Sequence, residues 1–249
     1  MAISTNSVIH YTDRIECLKG IISDGGFRIK YCLEEIDILS PNPLKAAFPM
    51  VSFCDIPLSE IKNHIDAYGS YGIGLTKNWA KQTGLNPVLY IERKSRLSSN
   101  LLKQLNRIHL SNKNGNPDNE LAFEFFDQIS YCKNYEGRLV RGKINSDSYR
   151  FYDEREWRFI AFRSDINNED PVLKHEIYLK NKLVINEKLK DCFVKFSYND
   201  ISYIIVDHED EIPEMLKILN DVFEDIATSK ELKILSTKIL TKNQIWNDF

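Results

Sequence analysis

Two glutamates separated by one residue are the clearest candidates for chemistry in this chain. Glu154 and Glu156 lie in a run whose aromatic residues, Trp157 and Phe159, are typical of a buried strand. Side chains at positions i and i+2 of a strand share a face, so the two glutamates would lie side by side, with their Cβ atoms roughly 6 to 7 Å apart. Such a pair requires a nearby cation such as Arg158, or it belongs to a site that uses both charges. The alternative is that both lie on the solvated face of an edge strand.

A second group of polar residues lies near the amino terminus. Residues 7–12 predict a short strand, and Thr12 or Asp13 can cap the helix that follows it. A histidine at this junction, His10, lies where ligand-facing polar groups and free backbone N–H groups coincide. By itself His10 could equally be structural, and Thr12 could be only a helix cap.

Two tyrosines, Tyr68 and Tyr71, lie in a segment that also contains three glycines. Their rings could stack on a flat ligand ring, or they could pack over the bare backbone of the glycines. Both interpretations remain open from the sequence.

Composition excludes several classes of protein. The 33 Lys plus Arg residues nearly balance the 36 Asp plus Glu residues, so no global field attracts a nucleic acid or an anionic membrane. The five cysteines are scattered and never form C-x-x-C, which argues against a disulfide framework and against a zinc site. No secretory signal and no run of about 18 apolar residues is present. We therefore expect a cytoplasmic protein with no metal and no membrane partner.

The pattern of short strands among helices favours an α+β fold over a doubly wound sheet. The first half predicts strands at 27–31, 51–54 and 87–91, and a helix at 58–67 that Pro57 introduces. Residues 94–148 read as a largely helical insertion, whose basic residues either contact a nucleic acid or form a solvated face. The second half predicts strands at 151–162, 176–179, 201–206 and 232–235 and a helix at 213–223.

The order of these features resembles the ADP-ribosyltransferase fold of the histidine-tyrosine-glutamate group. In this chain the order is His10-Tyr11-Thr12, a helix with a glycine turn, a tyrosine-bearing strand and a glutamate on a late strand. The resemblance implies a split mixed or antiparallel β core with flanking helices. It also implies one domain over 1–249, with the helical insertion at about 94–148.

The same resemblance implies roles for individual residues, with NAD as substrate. The residues that would bind NAD are His10, Tyr11, Thr12, Tyr68 and Tyr71. Glu156 would be catalytic, because a carboxylate stabilises the oxocarbenium character that develops when nicotinamide leaves the ribose. Glu154 would be its upstream partner in an E-x-E pair.

Three longer segments resemble a second family, the AbiGi-type abortive-infection proteins. These segments are 48–58, 68–75 and 154–158. That family is associated with phage defence and has been labelled the antitoxin half of a toxin–antitoxin pair.

Two hypotheses follow from the sequence. The first is an NAD-consuming ADP-ribosyltransferase of an anti-phage system, which modifies a protein or nucleic-acid target. The alternative is a catalytically inactive antitoxin that binds and neutralises a cognate toxin.

Overall fold

The computed structural model describes residues 4–39, 43–61, 65 and 67–248. Its strands are β1 (Ser7–Thr12), β2 (Gly26–Arg28), β3 (Lys30–Ile36), β4 (Leu44–Cys54), β5 (Tyr71–Thr76), β6 (Asn86–Pro87), β7 (Leu89–Ile91), β8 (Cys132–Asn134), β9 (Gly137–Arg141), β10 (Ile144–Tyr149), β11 (Glu156–Ile160), β12 (Leu173–Lys174), β13 (Phe193–Lys195), β14 (Ile201–Val206) and β15 (Ile239–Thr241). Its helices are α1 (Ile15–Ser23), α2 (Lys77–Gln82), α3 (Arg96–Lys113), α4 (Asn119–Ser130), α5 (His175–Glu187), α6 (Ile212–Phe223), α7 (Ser229–Ser236) and α8 (Lys242–Asp248). The α+β class is confirmed.

One large mixed sheet organises the chain. Its strand order is β15-β14-β5-β1-β4-β11-β6, and β3 and β12 also pair with β4. Among the described residues, all of its strand pairings are antiparallel except β14 with β15. The eleven-residue β4 is long enough to serve four partners.

The sheet forks along β4. Cys54 pairs with Ile9 of β1 and with Glu156 of β11, so those two strands flank the end of β4 on opposite sides. Met50 pairs with Lys30 of β3 and again with β11, so β3 lies on the same side as β1. Between the two contacts, residues 51–53 of β4 pair with neither β1 nor β3. Backbone groups at this fork are therefore available to side chains.

Three apolar cores surround the sheet. The largest contains α1, α6 and one sheet face, with Phe27, Phe53 and Trp79 packed tilted or edge to face. A second core packs α3 and α4 against β4 and β11. A third, smaller core lies near β1 and α8. The second core covers the sheet face from which Glu156 and Arg158 project.

Several predicted elements differ from those observed. Residues 176–179 lie in α5 and residues 232–235 in α7, so the two strands predicted there are wrong. The predicted strand 151–162 is a 3₁₀ turn (Phe151–Glu154), a left-handed Arg155 with φ of 46°, and then β11. The segment 94–148 begins with α3 and α4, as expected, but ends in β8, β9 and β10.

The helix predicted at 58–67 is tested only in part. Leu58–Glu60 forms a 3₁₀ turn, and residues 62–64 and 66 lie outside the described residues. The strand at 201–206 and the helix at 213–223 are confirmed by β14 and α6. None of the helices in the described part of the chain combines the length and the apolarity needed to cross a bilayer.

Candidate functional site

A cavity of about 530 Å³ opens at the fork of the sheet. Most of the predicted site residues line it: His10, Tyr11, Thr12, Tyr68, Glu154 and Glu156. Tyr71 does not. Its hydroxyl donates to Glu211 Oε1 at 2.7 Å, and burial together with that bond raises the pKa of Tyr71 above its ordinary value. Of the two tyrosines, Tyr68 therefore lines the cavity and Tyr71 does not, and an NAD-binding role for either stays a prediction.

Glu156 is the first residue of β11, and its carboxylate is saturated with donors. Oε1 accepts from Ser52 Oγ and from Arg158 Nε, each at 2.7 Å. Oε2 accepts from Lys133 Nζ at 3.0 Å and from an Arg158 terminal nitrogen at 3.1 Å. Burial alone would raise the pKa of Glu156, but Arg158 and Lys133 outweigh it and hold that pKa far below its ordinary value. Glu156 is therefore an ionised carboxylate.

Register explains why Ser52 and Arg158 reach this carboxylate. Glu156 is paired with Cys54 and Arg158 with Ser52, and directly paired residues of antiparallel strands project to the same face. The alternation that the sequence indicated is thus present within β11. It places two charged groups, rather than the neighbouring Trp157, on the more buried face.

Glu154 lies beside Glu156, although it belongs to the 3₁₀ turn and not to β11. It ends the 3₁₀ turn, and the left-handed Arg155 separates it from Glu156, the first residue of β11. Lys133 Nζ donates to Glu154 Oε2 at 2.7 Å, and the Tyr68 hydroxyl donates to Glu154 Oε1. The two carboxylates therefore share Lys133, although they do not lie on one regular strand as predicted.

Arg158 is the buried cation that pairs with Glu156. Its side chain is fully buried and also contacts Glu34 Oε2 at 3.0 Å. One terminal nitrogen donates to the backbone carbonyls of Ser130 and Cys132, at 2.8 and 3.3 Å. We call Glu34, Glu154, Glu156, Lys133 and Arg158 the carboxylate cluster.

The carboxylate cluster decides between the alternatives left by the sequence for the two glutamates. Only 3% of Glu154 and 7% of Glu156 is exposed, and β11 pairs on both sides, so the solvated edge-strand interpretation is wrong. Pairing of Glu156 with Arg158 is confirmed. Whether the cluster is also a catalytic site stays a prediction.

His10 occupies the opposite wall of the fork. Its Nδ1 lies 2.8 Å from the backbone oxygen of Ser52, and because a carbonyl only accepts, Nδ1 carries the proton. The ring packs edge to face on Phe27 and Phe53. Burial lowers the pKa of His10 below its ordinary value of 6.5, so the ring is neutral. Ser52 thus connects His10, through its carbonyl, with Glu156, through its hydroxyl.

Two groups in the cavity were missed by the sequence analysis. Lys133 lies in the short β8, where no local pattern marks it. Burial would lower the pKa of Lys133, but Glu156 and Glu154 outweigh it and hold that pKa above its ordinary value. Ser52 left a usable signal, since it is a polar residue within the otherwise apolar end of β4.

Cationic side chains lining the cavity indicate the charge of a ligand that it could bind. Arg28, Lys30 and Arg141 line it, and the Arg141 guanidinium lies 4.2 Å from the centre of the Tyr68 ring. Phosphate groups are the ligands that such residues favour. Among the described residues, no group of three or more His, Cys, Asp or Glu side chains is arranged to hold a metal ion.

Comparison with known proteins supports one of the two resemblances. The family model described as "Putative abortive phage resistance protein AbiGi, antitoxin" matches residues 27–207. The "Abortive phage resistance protein AbiGi" of Lactococcus lactis subsp. cremoris is 27% identical over 252 residues, which cover 90% of this chain and 99% of that protein. No solved structure matches the chain, and the ADP-ribosyltransferase-like fold stays a prediction. The chain belongs to the AbiGi family of abortive phage resistance proteins.

Proposed function

We propose that this protein is the antitoxin of an abortive-infection pair, and that it binds and neutralises a cognate toxin in the cytoplasm. The observation that carries the proposal is the family match, whose description contains the word antitoxin and which spans residues 27–207. The Lactococcus relative supports a role in phage resistance, because the similarity extends over nearly the whole of both chains.

The geometry of Glu156 agrees with a protein that works by binding. A catalytic carboxylate stabilises positive charge on a substrate, and its negative charge must be available for that purpose. Each oxygen of Glu156 already accepts two hydrogen bonds, and two cations neutralise it. The carboxylate cluster therefore supports the fold of the fork without a substrate.

Co-expression with the product of the adjacent gene tests this proposal. We expect that product alone to arrest growth, and this protein to restore growth and to co-purify with it as a stable complex. Tyr68→Phe, which alters the cavity while keeping the ring, should neutralise as well as the wild type. Growth arrest that persists despite soluble expression of both proteins would exclude the antitoxin role.

A second candidate function is ADP-ribosyl transfer from NAD to a protein or nucleic acid. One observation favours it: the fork cavity brings His10 and Tyr68 together with Glu154 and Glu156, as the ADP-ribosyltransferase resemblance implied. In this function substrate entry would have to release Glu156 from Lys133, so that one carboxylate oxygen could face the ribose.

Release of nicotinamide from NAD tests the second candidate. The wild type is compared with Glu156→Gln, with cell lysate supplied as acceptor, and Tyr71→Phe is the matched control because Tyr71 lies outside the cavity. Activity that needs Glu156 but not Tyr71 would establish the enzyme. Because Glu156 pairs with buried Arg158, thermal unfolding of each variant must accompany the assay, and a folded but inactive Glu156→Gln is the informative result.

A further inference from the structure

One wall of the fork cavity changes charge along its length. Arg28, Lys30, Cys32 and Glu34 all line the cavity, and alternate side chains of an extended chain share a face. Two cations therefore lie at one end of this wall and a carboxylate lies at the other. The four residue steps from Lys30 to Glu34 cover roughly 13 Å, at about 3.3 Å per residue. A ligand that fits the whole wall is anionic at one end and carries hydrogen-bond donors at the other.

The cationic end has two side chains without a carboxylate partner. Neither Lys30 nor Arg141 forms an ion pair with any residue that the structure describes. Arg28 lies 3.9 Å from Asp24 and is partly compensated. Arg141 belongs to β9, and its guanidinium lies over the ring of Tyr68, at 4.2 Å from the ring centre. A phosphate group between Lys30 and Arg141 would pair with both cations.

His10 lies between the two ends. Burial lowers the pKa of His10, and the charges of Lys30 and Arg141 lower it further, so both cations are close to the ring. On the other side, Ser52 connects His10 with Glu156 of the carboxylate cluster. Because the proton is on Nδ1, Nε2 has a free lone pair, and no described residue donates to it. A hydroxyl group of a ligand would complete this contact.

The opposite end favours hydrogen-bond donors. The carboxylate cluster has three carboxylates against two cations, so it repels a phosphate although each carboxylate contacts a cation. Glu34 has an oxygen to spare: its Oε2 lies 3.0 Å from Arg158, and no described residue donates to its Oε1. The Glu34 side chain is 16% exposed and lines the cavity. An amino group of a ligand could therefore donate to it.

A nucleotide carries the required groups in the required order. Its phosphate is anionic, its sugar has hydroxyl groups, and adenine, guanine and cytosine have amino groups. A volume of about 530 Å³ lies within the usual range for small-molecule sites, roughly 300 to 1,000 Å³. Inorganic phosphate would use only the cationic end. A sugar phosphate is shorter than this wall and would leave Glu34 without a donor.

We propose that the fork cavity binds a nucleotide, with its phosphate between Lys30 and Arg141 and an amino-bearing base at Glu34. The sugar lies beside His10 and donates a hydroxyl to Nε2. The inference concerns binding alone, so it depends neither on neutralisation of a toxin nor on transfer from NAD. It also leaves Glu156 paired with Lys133.

Calorimetry with ADP, GDP, CDP and UDP as probes tests the site. We expect at least one of the three diphosphates with an amino-bearing base to bind with a Kd below about 1 mM. UDP should bind at least about tenfold more weakly, because uracil has no amino group for Glu34. The nucleoside of the best probe should also bind at least about tenfold more weakly, because it lacks the anionic group.

A paired variant tests the position of the phosphate. Lys30→Gln combined with Arg141→Gln should raise the Kd of the best probe at least about tenfold, and both side chains are exposed, so the fold should be kept. The matched control is Arg138→Gln, which removes an exposed cation from the same strand β9 and should leave the Kd unchanged. Thermal unfolding of each variant accompanies the titration. The comparison of nucleotide with nucleoside needs no variant and decides the question if the paired variant does not fold.

Several results would overturn the inference. Absence of binding below about 1 mM for all four probes would exclude a nucleotide site. Equal binding of inorganic pyrophosphate, or of the nucleoside alone, would show that only one end of the wall is used. Equal binding of UDP would remove the base from Glu34, and a folded Lys30→Gln/Arg141→Gln with wild-type affinity would remove the phosphate from the two cations.

Discussion

The carboxylate cluster and helix α5 both reverse the usual distribution of side chains. In the cluster, five ionisable groups are buried or nearly so beneath α3 and α4. On α5, four large apolar groups are exposed to solvent. Each arrangement is unfavourable by itself, because charges lose hydration when buried and apolar groups order water when exposed.

The two regions differ in how the unfavourable arrangement is compensated. In the cluster every carboxylate contacts a cation inside the same chain, so the compensation is complete before anything binds. On α5 the described residues supply no apolar cover for the exposed side chains. The interior charges are therefore compensated within the chain itself, whereas the apolar groups of α5 remain exposed.

Removal of the central cation should have the largest effect. Arg158→Met should lower the free energy of unfolding by about 3 to 5 kcal/mol, because Glu156 and Glu34 would then lack their buried partner. Urea denaturation measures the loss. The double variant Arg158→Met/Glu156→Met should recover only part of it, since it removes the charge of Glu156 but leaves Glu34 without its partner. A loss below about 1 kcal/mol would show that water enters the cluster.

A change of pH should have a smaller, graded effect in two windows. The pKa of buried His10 lies below 6.5, so the unfolded state binds more protons and stability should fall as the pH falls from about 6.5, by at most ~1.4 kcal/mol per pH unit. The lowered pKa of Glu156 gives stability that is fully present above its unfolded pKa of about 4.5 and is lost below it. Chemical denaturation at each pH measures both. An unchanged slope between pH 6.5 and 5.5 in His10→Gln would exclude His10.

Substitution of the exposed apolar side chains of α5 should have the smallest effect on stability. Leu183→Gln/Val184→Gln should change the free energy of unfolding by less than about 0.5 kcal/mol, since both side chains are mostly exposed and contribute little to the core. A change above about 1.5 kcal/mol, measured on the isolated protein, would mean that these side chains are already covered in solution. That result would remove the contrast between the two regions.

Local sequence patterns predicted the elements whose apolar spacing matches the burial that the folded structure gives them. The strand at 201–206 and the helix at 213–223 carry apolar residues at the spacing that their element requires. The strand predicted at 176–179 was wrong, because Ile-Tyr-Leu favours a strand by its local propensity. In the structure Tyr178 is bound on the inside of α5 while Ile177 and Leu179 face outward, a choice made by contacts with β3.

The candidate site was predicted in its composition and only partly in its arrangement. The sequence indicated His10, Tyr68 and the two glutamates as a group, and the fork brings them to one cavity. Trp157 and Phe159, the aromatic residues that indicated a buried strand, do pack against the largest core, but Glu156 and Arg158 lie on the opposite and more buried face. That face is covered by residues far away in the chain, and no local spacing reveals which face a distant helix will cover.

By itself, then, the sequence determined the α+β class, the resemblance to AbiGi proteins and the residues that could take part in chemistry. Composition, periodicity and motif order are properties of the sequence, and they carry this information without the fold. Tertiary structure alone decided that Lys133 joins two carboxylates, that Tyr71 pairs with Glu211 outside the cavity, and that α5 exposes its apolar residues. These outcomes depend on contacts between segments distant in the chain. Burial and pairing of charges are properties of the folded neighbourhood, so they follow only from the assembled core.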